Sequence, residues 1–406
     1  MMDKPLRGLK MLDLTHMLSG PYGAMILSDL GADTVKVEPK ERGEGTRRLL
    51  ELDPNNSING MGAYFFTLNR NKRSVALDLK SPSGLNAFYE LVKAADIVIN
   101  NFSAGVTKKL KIDFDTLSKI NPRIITCTVT GFGESGPDYQ RPAFDQIAQA
   151  LGGGMSITGA NEDEVMRAGI PIGDLGGGMF AVMGVLAAVI ARQTTGKGQH
   201  VDISMLDCQV SMLNYMVTMY SMSGDVPKPL GNSHFVHVPY NTFTTSNGPV
   251  VIAVIGDTFW PPLKKLLQID AFDDTNLDNA PGRLAAKEFI ELEMNNVLIT
   301  QTAEYWLEKL EKLRIPCARV NNIPQAINDP QVRARNMVVN VEHPEGGVTE
   351  VPGNPIKLSE TSGDSFLSPP LLGQHTDEVF EEWLGWSSQK LAEFLEEPHA
   401  QAQEAV

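Results

Sequence analysis

The sequence predicts an α/β protein: a large Rossmann-like domain on a parallel sheet, residues 1–224 completed by 326–406, and a smaller α+β domain at 225–325. Three observations predict it. Residues 10–38 read strand, helix, strand, a unit that joins parallel neighbours through a right-handed crossover. Two later segments, 96–101 and 123–130, are rich in β-branched residues and poor in charge, as central parallel strands are. From Asp225 the chain turns Pro-rich and then hairpin-like around Asn247-Gly248, which marks a second domain. At 406 residues the chain also exceeds the ~250–300 at which single cores divide.

Taken in order, KMLDL (10–14) is a strand, and PYGAMILSDLG has helical spacing with Gly31 as its stop. ADTVKVE is the second strand. The turn between them holds Ser19-Gly20-Pro21, so the GxGxxG dinucleotide fingerprint is missing. Residues 39–62 read as loop and Val75–Leu79 as strand. Ser81-Pro82 supplies a cap and a first-turn proline for the helix that follows. TGFGESGP closes a loop at a strand's carboxyl end, where open α/β sheets bind ligands. Met179–Ala191 is an apolar helix, HVDIS a strand, and LDCQVSMLNYMVTMYSMSG a helix whose Met stripe suits a core. Beyond Asp225, Thr302 caps TAEYWLEKLEKLRI, and the chain ends in short strands and two helices. Residues 397–406 read as a frayed end.

A net charge of −14 argues against a nucleic-acid partner, which requires a basic face. Cys127, Cys208 and Cys317 lie far apart without metal-binding spacing, as suits structural thiols in a reducing cytoplasm. The N-terminus lacks a signal-peptide core. The longest apolar run has 13 residues, against the ~20 of a membrane span, so no membrane partner is expected.

The stretch GIPIGDLGGG (169–178) draws the chemistry. Asp174 is a lone carboxylate among glycines and aliphatics, with no Lys or Arg nearer in sequence than Arg167. A carboxylate in apolar surroundings costs folding energy unless its charge is satisfied or used. Gly-rich backbone can turn several N–H groups onto an oxyanion. A catalytic carboxylate beside such amides is one reading; a helix N-cap before a glycine turn is the other. Elsewhere, Arg70, Lys72, Arg73 and Lys80 form a basic cluster that reads either as a phosphate patch or as a solvated turn, and Lys108, Lys109 and Lys111 read as a solvated helix face. His234 and His237 lack a third metal ligand nearby, so no metal site is expected. GxSxG, P-loop and HExxH motifs are absent.

GLKMLDLTHMLSGPYG, LGADTVKVE, NRNKRSVALDLK, TGFGESGP, PAFD, GIPIGDLGGG, TGKGQHVDISMLD and LLGQHTDEV run in order over nearly the whole chain. In that combination the chain resembles the family III CoA-transferases, the group containing the formyl-CoA:oxalate and carnitine CoA-transferases. The resemblance implies that Asp174 is the nucleophile. It also implies coenzyme A contacts at His16, Met17, Leu18, Leu77, Asp78, Leu79, Lys80, Asn101, Phe102 and Lys109, with Lys72 and Arg73 as further cations for the phosphates. Tyr64 and Asp145 match positions lining the family's site, and Phe144, Gly176, Gly177, His234 and Tyr240 complete the expected substrate pocket. No permanently bound cofactor is implied; coenzyme A and acyl-CoA are substrates, with a carboxylic acid as acceptor and succinyl-CoA as the expected donor. An interlocked homodimer follows from the family, with a heteromer containing a paralogous subunit as the alternative.

This chain departs from the pattern in places. NFSAG stands where many members read NFRPG, Pro39 replaces an arginine of the formyl-CoA enzyme, and Leu18 replaces its glutamine. The four-glycine run over that enzyme's site is absent, and Val254–Asp257 reads VIGD. Oxalate is therefore disfavoured against a larger or more apolar acid. The racemase branch carries a His where this chain has Phe144, and proton transfer at one carbon needs a second acid–base group, which leaves racemisation as the lesser alternative.

Overall fold

The structure is a computed structural model that describes residues 4–361 and 364–396; the expected frayed end, 397–406, lies outside the described residues. The chain divides into two compact units, one running through Gly154, Ala168–Met222 and from Pro330 on, the other comprising Met155–Arg167 and Ser223–Asp329. The second unit thus takes in a short excursion that the sequence places with the first.

The first unit is built on six parallel strands: β1 (Lys10–Asp13), β2 (Asp33–Glu38), β3 (Lys72–Ala76), β4 (Ile97–Asn100), β5 (Ile125–Thr130) and β6 (His200–Ser204). Their spatial order is β3-β2-β1-β4-β5-β6. Leu12 of β1 lies beside both Val35 of β2 and Val98 of β4. The chain therefore moves outward one way from β1 and then the other way from β4. The β1/β4 boundary is the switch point, the position where such sheets open a ligand crevice.

Period-two alternation sends successive side chains to opposite layers. Leu12, Val35 and Val75 pack under α2 (Pro82–Ala94) and two C-terminal helices, Thr376–Leu384 and Ser388–Glu396, through Phe88, Leu91, Phe380 and Trp383. Met11, Ile97, Ile125 and Cys127 pack under α1 (Ser19–Asp29) and, further on, α4 (Ile172–Thr195). Ser81 caps α2 through its hydroxyl, with Pro82 at the first turn. Between those helices comes α3 (Asp145–Leu151).

Three expectations are corrected. Strand β3 begins at Lys72, not Val75, and this draws the basic cluster into the sheet. The Met-rich segment is two helices, α5 (Met205–Leu213) and α6 (Tyr215–Ser223), broken at Asn214, whose φ is +49°. Its Met stripe is not core: α6 contains no buried residue and Met222 is 83% exposed. The glycines of GIPIGDLGGG form no turn, because α4 starts at Ile172 and runs for 24 residues. By length and composition α4 is apolar enough to cross a membrane, which the 13-residue run did not indicate. Its stripe Gly177, Gly178, Ala181, Val185 and Ala188 is buried in the unit's own core.

Those glycines serve contact. A Cβ on Gly178 would stand 2.6 Å from the Ser19 carbonyl oxygen, and one on Gly23 would stand 2.9 Å from the Gly178 carbonyl oxygen. Small residues let the two backbones touch.

The second unit has a three-stranded antiparallel sheet of Tyr240–Thr245, Gly248–Ala253 and Cys317–Arg319. It packs on helices Trp260–Leu267, Lys287–Leu298 and Ala303–Lys312 around Trp260, Ile290 and Trp306. Thr302 caps the last of these.

Gly178→Ala is expected to lower stability by roughly 1–3 kcal/mol, because the new methyl meets backbone that cannot rotate away. A thermal melt checks this against Gly196→Ala, at a helix end with open space, where only the left-handed φ of +71° is penalised.

Candidate active site

The loop after β1 carries Leu14–Leu18 into α1, and β4 ends at Asn100. Asn101 joins the two: its side-chain oxygen accepts from the His16 amide at 2.8 Å, and its side-chain nitrogen donates to the His16 carbonyl at 2.7 Å. This clamp holds Met17 at φ +63°, a conformation that side-chain-bearing residues seldom adopt. The His16 and Phe102 rings lie 5.5 Å apart. The structure thus brings His16, Met17, Leu18, Asn101 and Phe102 together at the switch point.

Beneath that loop is a buried charge network. Lys72 donates to Asp13 at 2.8 Å with both side chains fully buried, and Lys36 donates to the Thr15 carbonyl at 2.8 Å. Burial alone would raise the Asp13 carboxyl, but Lys36 and Lys72 overcome it and hold it down to about 2. Arg70 pairs with Asp29 inside the fold. Arg73 grips Asp33 with both oxygens at 2.8 Å and reaches Glu378 and Glu382 on a C-terminal helix. The phosphate role expected of Lys72 and Arg73 is therefore corrected, as is the reading of the cluster as a solvated turn. These cations hold the sheet together, and removing one partner of a buried pair costs about 3–5 kcal/mol. Burial and then Lys36 push His16 down to about 4, so its imidazole is neutral at pH 7, although Glu44 lies 3.9 Å away.

Lys80 and Lys109 remain exposed, beyond the carboxyl ends of β3 and β4 respectively. Leu77 is core, Leu79 half-buried and Asp78 exposed, and all three lie past the end of β3.

Asp174 is the third residue of α4 and half-buried. It is thus not the N-cap. The start of α4 is held from outside by Asp145, the first residue of α3. One Asp145 oxygen accepts from the amides of Gly173 at 2.8 Å and Asp174 at 3.2 Å. Its other oxygen accepts from Gln149 at 2.7 Å, and Gln149 accepts from the Ala168 amide at 2.9 Å. A cap of this kind is worth roughly 0.5–2 kcal/mol. Asp174 is left without a cation: among the described residues none forms an ion pair with it. Burial, and then the Asp145 charge, push its carboxyl up to about 6.

The Tyr64 hydroxyl is raised by burial and then by the charges of Asp174, Glu44 and Asp145, so the phenol stands among three carboxylates. Glu44 is buried, accepts from the Thr46 amide and hydroxyl, and is raised by burial. Sequence reasoning passed over Glu44 and Gln149, because a lone acid in a polar loop and a glutamine on a short helix carry no local signal.

The amides of Gly176 and Gly177 lie inside the helical ladder of α4, so the expected glycine-loop oxyanion role is corrected. A Cβ on Gly177 would stand 2.5 Å from the Ser19 hydroxyl. Phe144 precedes α3 and is 73% exposed. His234 and Tyr240 belong to the second unit, where their rings lie 5.2 Å apart and His234 also stacks on His237. Among the described residues no group of three or more His, Cys, Asp or Glu could hold a metal ion.

The family model of CoA-transferase family III matches residues 6–376. The chain belongs to the family III CoA-transferases. This transferase is 37% identical over 384 residues to a succinyl-CoA:mesaconate CoA-transferase of Haloarcula hispanica, covering 93% of this chain and 96% of that one. It is 32% identical over 397 residues to the human succinyl-CoA:glutarate CoA-transferase, covering 97% and 89%. A CAIB/BAIF family protein from Brucella suis superposes with a TM-score of 0.84 at 33% identity, covering 94% of this chain and 100% of that one. The transferase acts on CoA thioesters.

Two outcomes follow from the raised Asp174 carboxyl. If Asp174 must be ionised to react, kcat/KM falls as pH drops through about 6, and Asp145→Asn, which removes the neighbouring charge, moves that limb to lower pH. A group raised in the folded state costs stability when ionised; the cost is full above about pH 6 and vanishes below its ordinary 3.8. Asp174→Asn is therefore expected to raise the melting temperature at pH 8, with the gain shrinking as pH falls toward 4.

Proposed function

We propose that the transferase moves CoA from succinyl-CoA to a small organic acid of the dicarboxylate class, with Asp174 as transient acyl carrier. The observation that carries this reading is an ion-pair-free, half-buried carboxylate at a helix start, raised yet mostly ionised at pH 7. The donor and acceptor class follow the names of the relatives, which act with succinyl-CoA on mesaconate and glutarate.

In the first step an Asp174 oxygen attacks the thioester carbonyl carbon. The carbonyl electron pair moves onto oxygen, then returns and expels CoA thiolate, which leaves an acyl-aspartyl anhydride. The thiolate attacks the aspartyl carbonyl and releases succinate, forming an aspartyl-CoA thioester. The acceptor carboxylate attacks this thioester, and the sequence runs backward to the new acyl-CoA. Covalent catalysis replaces one difficult exchange by easier steps. An anhydride is quickly hydrolysed, so partial burial of Asp174 protects it.

Coenzyme A lies in the switch-point crevice against His16–Leu18 and Asn101–Phe102, with Leu77–Lys80 along its course. Lys80 and Lys109 face its phosphates, being exposed basic residues past the ends of β3 and β4 that the sheet has not consumed. Tyr64, Asp145 and Phe144 border the acyl side. Exposed apolar residues on α4–α6, among them Met183, Ile190, Tyr220 and Met222, support an interlocked homodimer, since a surface of this kind is normally covered.

Assay of CoA exchange between succinyl-CoA and mesaconate or glutarate tests the reading; Asp174→Ala is expected to abolish exchange, and an active variant overturns it. The double variant Lys80→Ala/Lys109→Ala is expected to raise the KM for succinyl-CoA by about tenfold, each exposed charge pair being worth up to roughly 1 kcal/mol, with kcat little changed.

A further inference from the structure

The Ser19 hydroxyl has no use in the fold. Ser19 is the first residue of α1 and 3% exposed, and among the described residues its buried Oγ has no hydrogen-bond partner. Buried hydroxyls are nearly always paired, and one left alone calls for an explanation. Nothing structural explains this one, because an alanine would fit the same space without an unmet polar atom.

Its position supplies the explanation. The side of α4 that meets α1 holds Gly177 and Gly178, and Asp174 falls in the same helical row three and four positions earlier. A Cβ at Gly177 would stand 2.5 Å from Ser19 Oγ, and one at Gly178 would stand 2.6 Å from the Ser19 carbonyl oxygen. Asp174 lies one helical turn before them, about 4.5 Å before Gly177 and about 6 Å before Gly178 along the axis. The start of α1 has further unused donors. Its cap position, Leu18, makes no side-chain cap bond, and Tyr22 is the first residue whose amide bonds back, to the Leu18 carbonyl at 2.9 Å. The amides of Ser19 and Gly20 precede that bond and have no acceptor within the helix.

We infer that Ser19 Oγ, with the free amides at the start of α1, forms the oxyanion site for tetrahedral centres built on the Asp174 side chain. This rests on Asp174 being the acyl carrier. When CoA thiolate attacks the aspartyl carbonyl carbon, a C–S bond forms and the carbonyl electron pair moves onto the aspartyl oxygen. That oxyanion accepts hydrogen bonds from Ser19 Oγ–H and the α1 amides. When the tetrahedral centre collapses, the pair returns, the C–O bond to the acyl group breaks, and the carboxylate leaves. No proton is transferred to or from Ser19. The hydroxyl is unpartnered at rest because its acceptor exists only during turnover, the arrangement that lowers a barrier rather than tightening binding.

The test compares Ser19→Ala with wild type and Asp174→Asn, measuring kcat and KM for succinyl-CoA and the melting temperature of each protein. Loss of an oxyanion donor predicts that Ser19→Ala loses about tenfold to a hundredfold in kcat, with KM nearly unchanged and the melting temperature equal or higher. A kcat within about twofold of wild type overturns the inference, and so does a loss of activity that comes with a lowered melting temperature, which marks a structural hydroxyl. Asp174→Asn separates the two failures. If it is inactive while Ser19→Ala is fully active, only the oxyanion site is wrong; if it is active, the acyl-carrier reading fails as well.

Discussion

One carboxylate capping the helix that bears another is the constraint on which the site depends. Asp145 spends an oxygen on the amides of Gly173 and Asp174, so the start of α4 is fixed in space and its donors are satisfied. Asp174 is then held half-buried with a like charge nearby and no cation to neutralise it. Both effects weaken the ionised form without abolishing it at neutral pH. A carboxylate so placed is more basic than one in water and more reactive as a nucleophile. The glycines that follow let α1 lie directly against α4, which brings the start of a second helix to Gly177 and Gly178, one turn beyond Asp174.

The switch-point loop depends on a different interaction. Asp13 ends β1 in a fully buried pair with Lys72, which crosses beneath it from β3, and Lys36 reaches up from β2 to the Thr15 carbonyl. These bonds fix the backbone just before His16, and Asn101 fixes it at His16 itself. An acidic chain thus ties Arg70, Lys72 and Arg73 of its conspicuous basic cluster into ion pairs of the fold and leaves Lys80 exposed at a strand end.

Much of the first unit was legible. Strand and helix periodicity located β1, α1, β2, α2 and the central strands to within a few residues, because each has one buried layer or two and the alternation records it. The candidate carboxylate was conspicuous in composition, as an Asp among glycines and aliphatics, but composition left its role open between a catalytic group and a helix cap. The failures share a physical cause: each depends on a partner distant in sequence. Lys72 reads as turn because its partner Asp13 is 59 positions away. Gly176–Gly178 read as a turn because the atoms that require their small size lie elsewhere in the chain: Met212 of α5 at Gly176, the Ser19 side chain at Gly177 and α1 backbone at Gly178. The Met stripe of α5 and α6 has the spacing of a core face, but spacing does not say whether the covering surface is in the same chain. Family resemblance supplied the roles and could not show which cations were already paired.

The most direct measurement of the central claim is chemical trapping of the carrier. The enzyme is mixed with succinyl-CoA, quenched with hydroxylamine and digested, and the peptide spanning residues 168–192 is weighed by mass spectrometry. The account predicts a hydroxamate on Asp174 that appears only with the thioester present and is absent from Asp174→Asn. An unmodified Asp174 in an enzyme that is turning over, or a hydroxamate on another carboxylate such as Glu44 or Asp145, would contradict it.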